Sequence, residues 1–248
     1  MPKQNRVRIY AGPNGSGKSS LYDAISKEYI SGLFVNADLI EKQLKTIGFI
    51  DFTEFNLKIN NVQLDIFKQL TSSISLINKA ISEGYIIDVI VKDNFILNKP
   101  KSTNSYEAAF VASFIRHSLL EVKRDFTYET VMSDRYKLDE ITQANNLDYK
   151  TYLYFICTDD FEKNIERVKN RVLKDGHNVD EEKIKKRYFK TLENLADAIR
   201  LVHRAYIFDN SGDKYELLAE IYQGTAFKFH TMSIPEWFEK YVYNKFEF

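Results

Sequence analysis

The eight residues Gly12-Pro13-Asn14-Gly15-Ser16-Gly17-Lys18-Ser19 constrain this chain more than any other stretch. Glycines at such spacing let a backbone turn tightly and point successive N–H groups inward. The closing lysine and serine supply a cation and a metal-ligating hydroxyl, the pattern of a phosphate cradle. The flanks suit that reading. Arg6–Ala11 (RVRIYA) reads as a buried strand, and Lys18–Tyr29 as a helix. A strand–loop–helix unit of this kind sets the positive end of the helix against an anion. From it we expect a nucleotide site built from Gly12 to Ser19 together with Ser20. Lys18 is expected at the β- and γ-phosphates of ATP, and Ser19 on Mg²⁺.

The rest of the chain alternates strands and helices, which implies an α/β fold with a central, mostly parallel sheet of about five strands. Strands are expected at Leu33–Asn36, Asp125–Val131, Thr151–Cys157 and Ala205–Phe208. Helices are expected from Leu39 to Leu44, Tyr106–Lys123, Asp134–Asn145, Phe161–Lys174 and Asp180–Val202. Between positions 45 and 104 the pattern changes, and this stretch reads as a mostly helical insertion. Ile66, Leu70, Ile74, Ile77 and Ile81 recur at helical spacing within Val62–Ser82, and Gly84 would close that helix. Tyr85–Val91 reads as a strand with Asp88 awkwardly in its centre. Residues 213–248 form an appendage: a hairpin of Glu216–Tyr222 and Thr225–His230 around Gln223-Gly224, then an amphipathic segment from Pro235 to Tyr243. We read the whole of 1–248 as one domain bearing this insertion and this appendage.

Composition narrows the function classes. Lys and Arg total 35, as do Asp and Glu, so the 248-residue chain carries no net charge. That argues against a long nucleic acid as partner. No apolar run reaches the length of a membrane span, and the N-terminus shows no secretory h-region. One cysteine, Cys157, sits in an apolar run, so no internal disulfide can form and a cytoplasmic location is expected. No His/Cys constellation suggests zinc. The chain lacks the signature of ABC-type ATPases and the base-reading motif of small GTPases, which leaves the kinase branch of P-loop folds.

A kinase needs an acid beside the phosphates. Asp38, at the end of the second strand, is the candidate base for an acceptor hydroxyl, although an Asp before a helix can also serve as its cap. Glu129 and Thr130 close the third core strand on the same sheet edge: Glu129 is assigned to the acceptor or to Mg²⁺-bound water, with a structural salt bridge as the alternative, and Thr130 to a polar substrate, with a cap on the next helix as the alternative. Ser133 and Arg135 follow as candidate substrate contacts. Lys163, Arg167, Arg171 and Lys174 share one helix face, and Arg187 lies in the next helix. The lysines read as solvated ion-pair partners. The arginines read as the fixed charge that a transferring phosphoryl group requires. His177, in the turn Asp175-Gly176-His177-Asn178, reads equally well as a phosphate contact or as a local hydrogen-bonding residue.

Taken together, these blocks resemble the zeta toxin-like kinases and their chromosomal relatives labelled as predicted ATPases. The resemblance lies in AGPNGSGKS (Ala11–Ser19), VNADL (Val35–Leu39), FTYETVMS (Phe126–Ser133), RVKNRVLKDGHNV (Arg167–Val179), IKKRY (Ile184–Tyr188), LENLADAI (Leu192–Ile199) and AYIFDNS (Ala205–Ser211). It implies a P-loop kinase fold of three layers and phosphorylation of a hydroxyl with ATP and Mg²⁺. It implies a UDP-activated amino sugar, UDP-N-acetylglucosamine, as acceptor, and an antitoxin protein as a partner. Carried over by motif, Lys18, Asp38, Arg171 and Arg187 become catalytic, with Arg167 a rival for the first arginine role. Glu129 and Thr130 fall at the acceptor. The chain departs from the family at Asp175, where a glycine is expected, at Asp180, where a proline often stands, and in its 45–104 insertion. The rival readings are a kinase for another nucleotide-type acceptor and a nucleotide-dependent binding ATPase acting on a protein.

Overall fold

The computed structural model describes residues 4–27, 32–98, 103–173 and 179–247. The chain divides into two compact units, one made of Met1–Ser31 with Thr127–Phe248 and the other of Gly32–Phe126. Elements are numbered along the whole chain, so the first unit contains β1, α1 and everything from β6 onward.

In the first unit, Arg6–Ala11 forms β1 and Lys18–Ser26 forms α1. After the second unit come β6 (Phe126–Thr130), α6 (Tyr136–Asn146), β7 (Lys150–Cys157) and α7 (Phe161–Val172). Then follow α8 (Glu181–Glu193), α9 (Leu195–Leu201), β8 (Arg204–Asp209), β9 (Glu216–Tyr222), β10 (Ala226–Phe229) and α10 (Glu236–Tyr241). The strands lie in the order β10-β9-β8-β7-β1-β6. β1 runs parallel to β7 in the register Ile9↔Leu153, and β7 runs parallel to β8 in the register Leu153↔Ala205. The β9–β10 hairpin extends this sheet antiparallel from β8. Its turn holds Gln223 at φ 49° and Gly224 at φ 66°, the left-handed pair that a tight hairpin requires.

β7 shows why these residues make a core strand. Its β-branched and aromatic side chains favour a pleated surface, and Leu153 and Phe155 are fully buried. Asp160 caps α7 by accepting from Glu162 N at 2.9 Å, and Asp180 caps α8 through Lys183 N at 3.0 Å. The single helix expected over Asp180–Val202 is broken at Asn194, whose side-chain amide donates to Met132 O at 3.0 Å. A tertiary hydrogen bond, with no glycine or proline to announce it, sets that break.

The second unit opens with β2 (Leu33–Val35), α2 (Ala37–Ile47) and β3 (Phe49–Asp51). It continues with α3 (Asn61–Lys68), α4 (Thr71–Ser82), β4 (Val89–Lys92), β5 (Phe95–Asn98) and α5 (Ser105–Glu121). Besides its helices it holds a three-stranded antiparallel sheet in the order β3-β5-β4. The β4–β5 turn is Asp93-Asn94, both at positive φ. The expected strand at Tyr85–Val91 begins only at Val89, because the Asp88 N–H donates to the Glu107 carboxylate at 3.1 Å instead of joining a ladder.

The isoleucine stripe of Val62–Ser82 does not form one buried face. The chain breaks into two helices where Leu70 turns extended (φ −68°, ψ 143°), so a period carried across the break loses its phase. Ile66, Ile74 and Ile81 are exposed, while Leu64, Phe67, Leu76 and Ala80 are buried. Phe67 packs on Phe110 and Phe114 of α5 with ring centroids 5.2 Å apart in each case. Burial of each such ring is worth about 2–3 kcal/mol.

Candidate nucleotide site

The loop between β1 and α1 is shaped by contacts that only glycine permits. A Cβ on Gly12 would lie 2.1 Å from Ile156 O, and one on Gly15 would lie 2.5 Å from Asn164 O of α7. Gly17, at φ 102°, precedes α1 with no side-chain cap, so the N–H groups at the start of this helix have no capping side chain. Such a helix start is a ready anion site. Lys18 extends its ammonium back over the loop and donates to Gly12 O at 3.0 Å and Pro13 O at 2.8 Å. Ser19 Oγ donates to Glu129 Oε2 at 3.2 Å, which brings the hydroxyl and the carboxylate expected near a divalent ion into contact.

A second layer holds the loop in place. Asn210, just past β8, donates its side-chain amide to Ser16 O at 2.8 Å and its backbone N–H to Cys157 O at 2.7 Å. Its own carbonyl accepts from Arg167 Nη2 at 2.9 Å. Arg167 therefore reaches the loop through one residue. Thr158 Oγ1 donates to Asn164 Oδ1 at 2.7 Å, and Tyr188 OH donates to Thr158 O at 2.7 Å, locking α7 and α8 beside the loop. Trp237 of α10 donates to Asp209 Oδ2 at 2.8 Å, so the C-terminal appendage steadies the same corner. Sequence reasoning read Asp209-Asn210-Ser211-Gly212 only as the close of a strand. The available signal was a short polar side chain at the C-terminal edge of a core strand, where ligand crevices form.

The loop's surroundings fit a phosphate ligand. Buried polar atoms without a hydrogen-bond partner include Asn14 Oδ1, Ser16 Oγ and Arg167 Nη1. A buried guanidinium nitrogen lacking an acceptor is costly unless a ligand oxygen completes it. Ser19 and Glu129 offer oxygen ligands, the donor type that Mg²⁺ takes. Among the described residues, no cluster of three or more His, Cys, Asp or Glu side chains is suited to a metal.

The remaining sequence candidates are placed as follows. Asp38 is an exposed residue at the start of α2, in the second unit. The cap of that helix is Asn36, whose side chain accepts from Asp38 N at 2.8 Å and Leu39 N at 3.2 Å. Thr130 Oγ1 accepts from Met132 N at 3.1 Å, stabilising the turn after β6 and not the start of α6. Ser133 is buried, with Oγ 3.4 Å from Asp134 Oδ2. Arg135 pairs with Asp197 of α9 at 2.8 Å. Arg171 is exposed in the last turn of α7, and Arg187 is half-buried in α8. Lys163 pairs with Asp159 at 2.9 Å, and Lys169 with Glu181 at 2.7 Å, as solvated ion pairs. Lys174, Asp175, Gly176, His177 and Asn178 lie outside the described residues. Cys157 is fully buried, and burial pushes its thiol well above the ordinary range, so it is no nucleophile.

Fold and loop together define an α/β protein with a P-loop kinase-like fold. No family model matches the chain, and no curated protein matches it. Among solved structures it resembles a chain of the AvrRxo1-ORF1:AvrRxo1-ORF2 complex crystallised with sulphate ions. The TM-score is 0.60 at 15% identity, over 97% of this chain and 64% of that one. The same complex crystallised with ATP matches with the same figures. A chain of the PezAT chromosomal toxin-antitoxin system of Streptococcus pneumoniae matches at TM-score 0.49 and 10% identity, over 100% of this chain and 81% of that one. The present chain thus spans less than two-thirds of the length of the AvrRxo1 relative, and the likeness is one of fold. Among the described residues, no helix is long and apolar enough to cross a membrane.

Proposed function

We propose that this protein is an ATP-dependent kinase that transfers the γ-phosphoryl group to a hydroxyl of a small-molecule acceptor. The observation that carries this reading is the glycine cradle together with Arg167, whose Nη2 is held by Asn210, the residue that braces the loop, and whose Nη1 is buried without an acceptor. When bound, ATP supplies the phosphoryl group and Mg²⁺ the counter-charge. Backbone N–H groups of Gly15 to Ser20 hold the phosphates, and Lys18 turns from its loop carbonyls to the β- and γ-oxygens. Ser19 holds the metal, and Glu129, which the Ser19 hydroxyl reaches at 3.2 Å, holds a metal-bound water or the acceptor. Arg167 acts as the principal cation on the transferring group, with Arg171 and Arg187 as further candidates.

Asp38 takes the proton of the acceptor hydroxyl. That oxygen forms the new bond to phosphorus as the bond to the bridging oxygen of ADP breaks. Catalysis is then mostly positioning and electrostatics. Glu129, Thr130, Ser133 and Arg135 are the candidates for holding the acceptor. In the finer form of the reading, the acceptor is UDP-N-acetylglucosamine, the location is cytoplasmic, and an antitoxin protein covers the nucleotide site. The test of the finer form is an acceptor panel with purified protein, ATP and Mg²⁺, read by mass spectrometry. UDP-N-acetylglucosamine gaining one phosphoryl group supports it, and a different phosphorylated acceptor keeps the kinase but replaces the substrate. A second reading, an ATPase acting on a protein partner, draws on the exposed apolar side chains Ile66, Ile74, Ile81 and Ile86 of the second unit.

A further inference from the structure

The two faces of the first unit's sheet differ in chemistry. On one face the row Ile9–Leu153–Ala205–Ile221 crosses four strands and is fully buried. On the other, strand register aligns Arg8–Tyr152–Arg204–Tyr222 in one row and Tyr10–Tyr154–Tyr206–Glu220–Lys228 in the next. Parallel sheets ordinarily bury both faces under helices and are apolar on both. Among the described residues, α1 covers the end of this second face nearest the nucleotide loop, where Leu21 packs with Tyr10, Ile156 and Phe208. Towards the N-terminal ends of β1, β7 and β8 the described residues leave this face part-exposed. Arg204 and Tyr222 are 40% and 39% exposed, and Arg8 and Tyr152 are half-buried.

Charge on this open area is one-sided. Arg8, Arg204 and Lys228 lie on the two rows, and Arg6 and Lys150 pair in register at their margin. The one carboxylate in the rows, Glu220, is already shared by Arg204 at 3.9 Å, Lys228 at 3.9 Å and His230 at 2.9 Å. A chain with 35 positive and 35 negative side chains thus gathers a local cationic surface. The Arg8 side chain hydrogen-bonds Tyr154, while its Nη1 is buried without a partner.

The aromatic rings decide which kind of anion suits it. Tyr10 stacks on Tyr154 at 4.8 Å and Tyr154 on Tyr206 at 5.0 Å, with planes within 9° and 10° of parallel. Those ring faces are occupied by one another, so they offer no platform to nucleobases, which bind single-strand proteins by stacking on free rings. Tyr152 and Tyr222 each meet the His203 ring edge to face, at 5.6 and 5.1 Å, and the Arg204 guanidinium lies over the Tyr222 ring at 5.6 Å, so what this area offers is ring edges, hydroxyls and guanidinium groups, the last suited to carboxylates. Arg8 and Arg204 are two strands apart, so their backbones are separated by about 10 Å, with Tyr152 between them. Residues seven apart on a helix are separated by about 10.5 Å.

We propose that this open face docks an acidic amphipathic helix from a partner protein, which completes the helical layer that α1 begins. Carboxylates one heptad apart on that helix meet Arg8 and Arg204, and its apolar side chains pack on the ring edges of Tyr152 and Tyr222. The surface lies at the opposite ends of the strands from the nucleotide loop, so it stands independently of the kinase reading.

The test is fluorescence anisotropy of the full chain with a labelled helix-forming peptide carrying glutamates at heptad spacing among leucines and alanines. A matched peptide with glutamines at those positions and an oligothymidylate serve as comparators. The glutamate peptide binds, more weakly as salt rises. The glutamine peptide and the Arg8→Ala/Arg204→Ala variant each lose about tenfold or more in affinity. Lys228→Glu, at a side chain 71% exposed, weakens binding in the same direction and keeps the test valid if the double variant fails to fold. The proposal is overturned if both peptides bind equally, if neither binds, or if oligothymidylate binds more tightly and displaces the peptide.

Discussion

Arg167 separates a structural from a catalytic account of the site most sharply. Its Nη2 donates to Asn210 O at 2.9 Å, and its Nη1 is buried without an acceptor. Removing the side chain in Arg167→Ala deletes one hydrogen bond from a charged donor, worth about 1.5–3 kcal/mol. It also removes a half-buried cation whose second nitrogen is unsatisfied, which offsets much of that loss. The net change in stability should be about 1 kcal/mol, a fall in Tm of about 2–4 °C for a chain of this size. If Nη1 instead serves the transferring phosphoryl group, turnover should fall about 10²–10³-fold, the effect of removing one preorganised donor to developing charge. Arg167→Lys keeps a charge near Asn210 but loses the second donor, so it should be stable and still impaired. The assay is steady-state ATP consumption with acceptor at saturation, beside a thermal melt of each variant. Unchanged kcat in Arg167→Ala, with a fall in Tm of about 10 °C or more, would refute the reasoning and make Arg167 a strut for Asn210 alone.

Gly12→Ala should abolish nucleotide binding, because its Cβ would stand 2.1 Å from Ile156 O, a strand carbonyl that cannot yield. Gly48→Ala is the control: φ is +82° but nothing lies within 4 Å, so it should cost about 1–2 kcal/mol of stability and leave binding intact by calorimetry. Asp38→Ala should cut turnover about 10²-fold or more while Tm holds, since the carboxylate is exposed and Asn36 provides the helix cap; full turnover would remove Asp38 from the mechanism. Glu107 is buried, and burial raises its pKa above 4.5 despite the bonds from Asp88 N and the Asn98 amide. The folded state therefore holds its proton more tightly than the unfolded state does. Its contribution to stability is full below pH 4.5 and is lost as pH rises through the raised value, so urea midpoints of Glu107→Gln should show a flatter pH dependence than wild type. Identical slopes would contradict this.

The strand–loop–helix unit around Gly12–Ser19 was legible because its signals are local: glycine spacing, a preceding strand and a following helix are all written within about twenty residues. The α/β alternation was legible for the same reason, down to the Gln223-Gly224 turn that extends the sheet. What sequence reasoning missed depends on contacts between distant positions. Asn210 meets the loop across 194 residues, and Asn194 breaks a helix by bonding Met132 across 62. The Asp93-Asn94 hairpin carried a local turn signal that the apolar run before it obscured. The Val62–Ser82 stripe misled because a helical period is informative only while the helix continues, and here it stops at Leu70. On the sheet, alternation shows which residues share a face but not whether a helix covers it. The open basic face therefore emerged only from the fold.

The most direct test of the central claim follows the γ-phosphoryl group itself. Purified protein is incubated with γ-phosphoryl-labelled ATP, Mg²⁺ and the acceptor panel, alongside Lys18→Ala, and the label is traced by mass spectrometry. The account predicts label on an acceptor hydroxyl, absent in Lys18→Ala. Label appearing only in inorganic phosphate, whatever the acceptor, would contradict it and favour the ATPase reading.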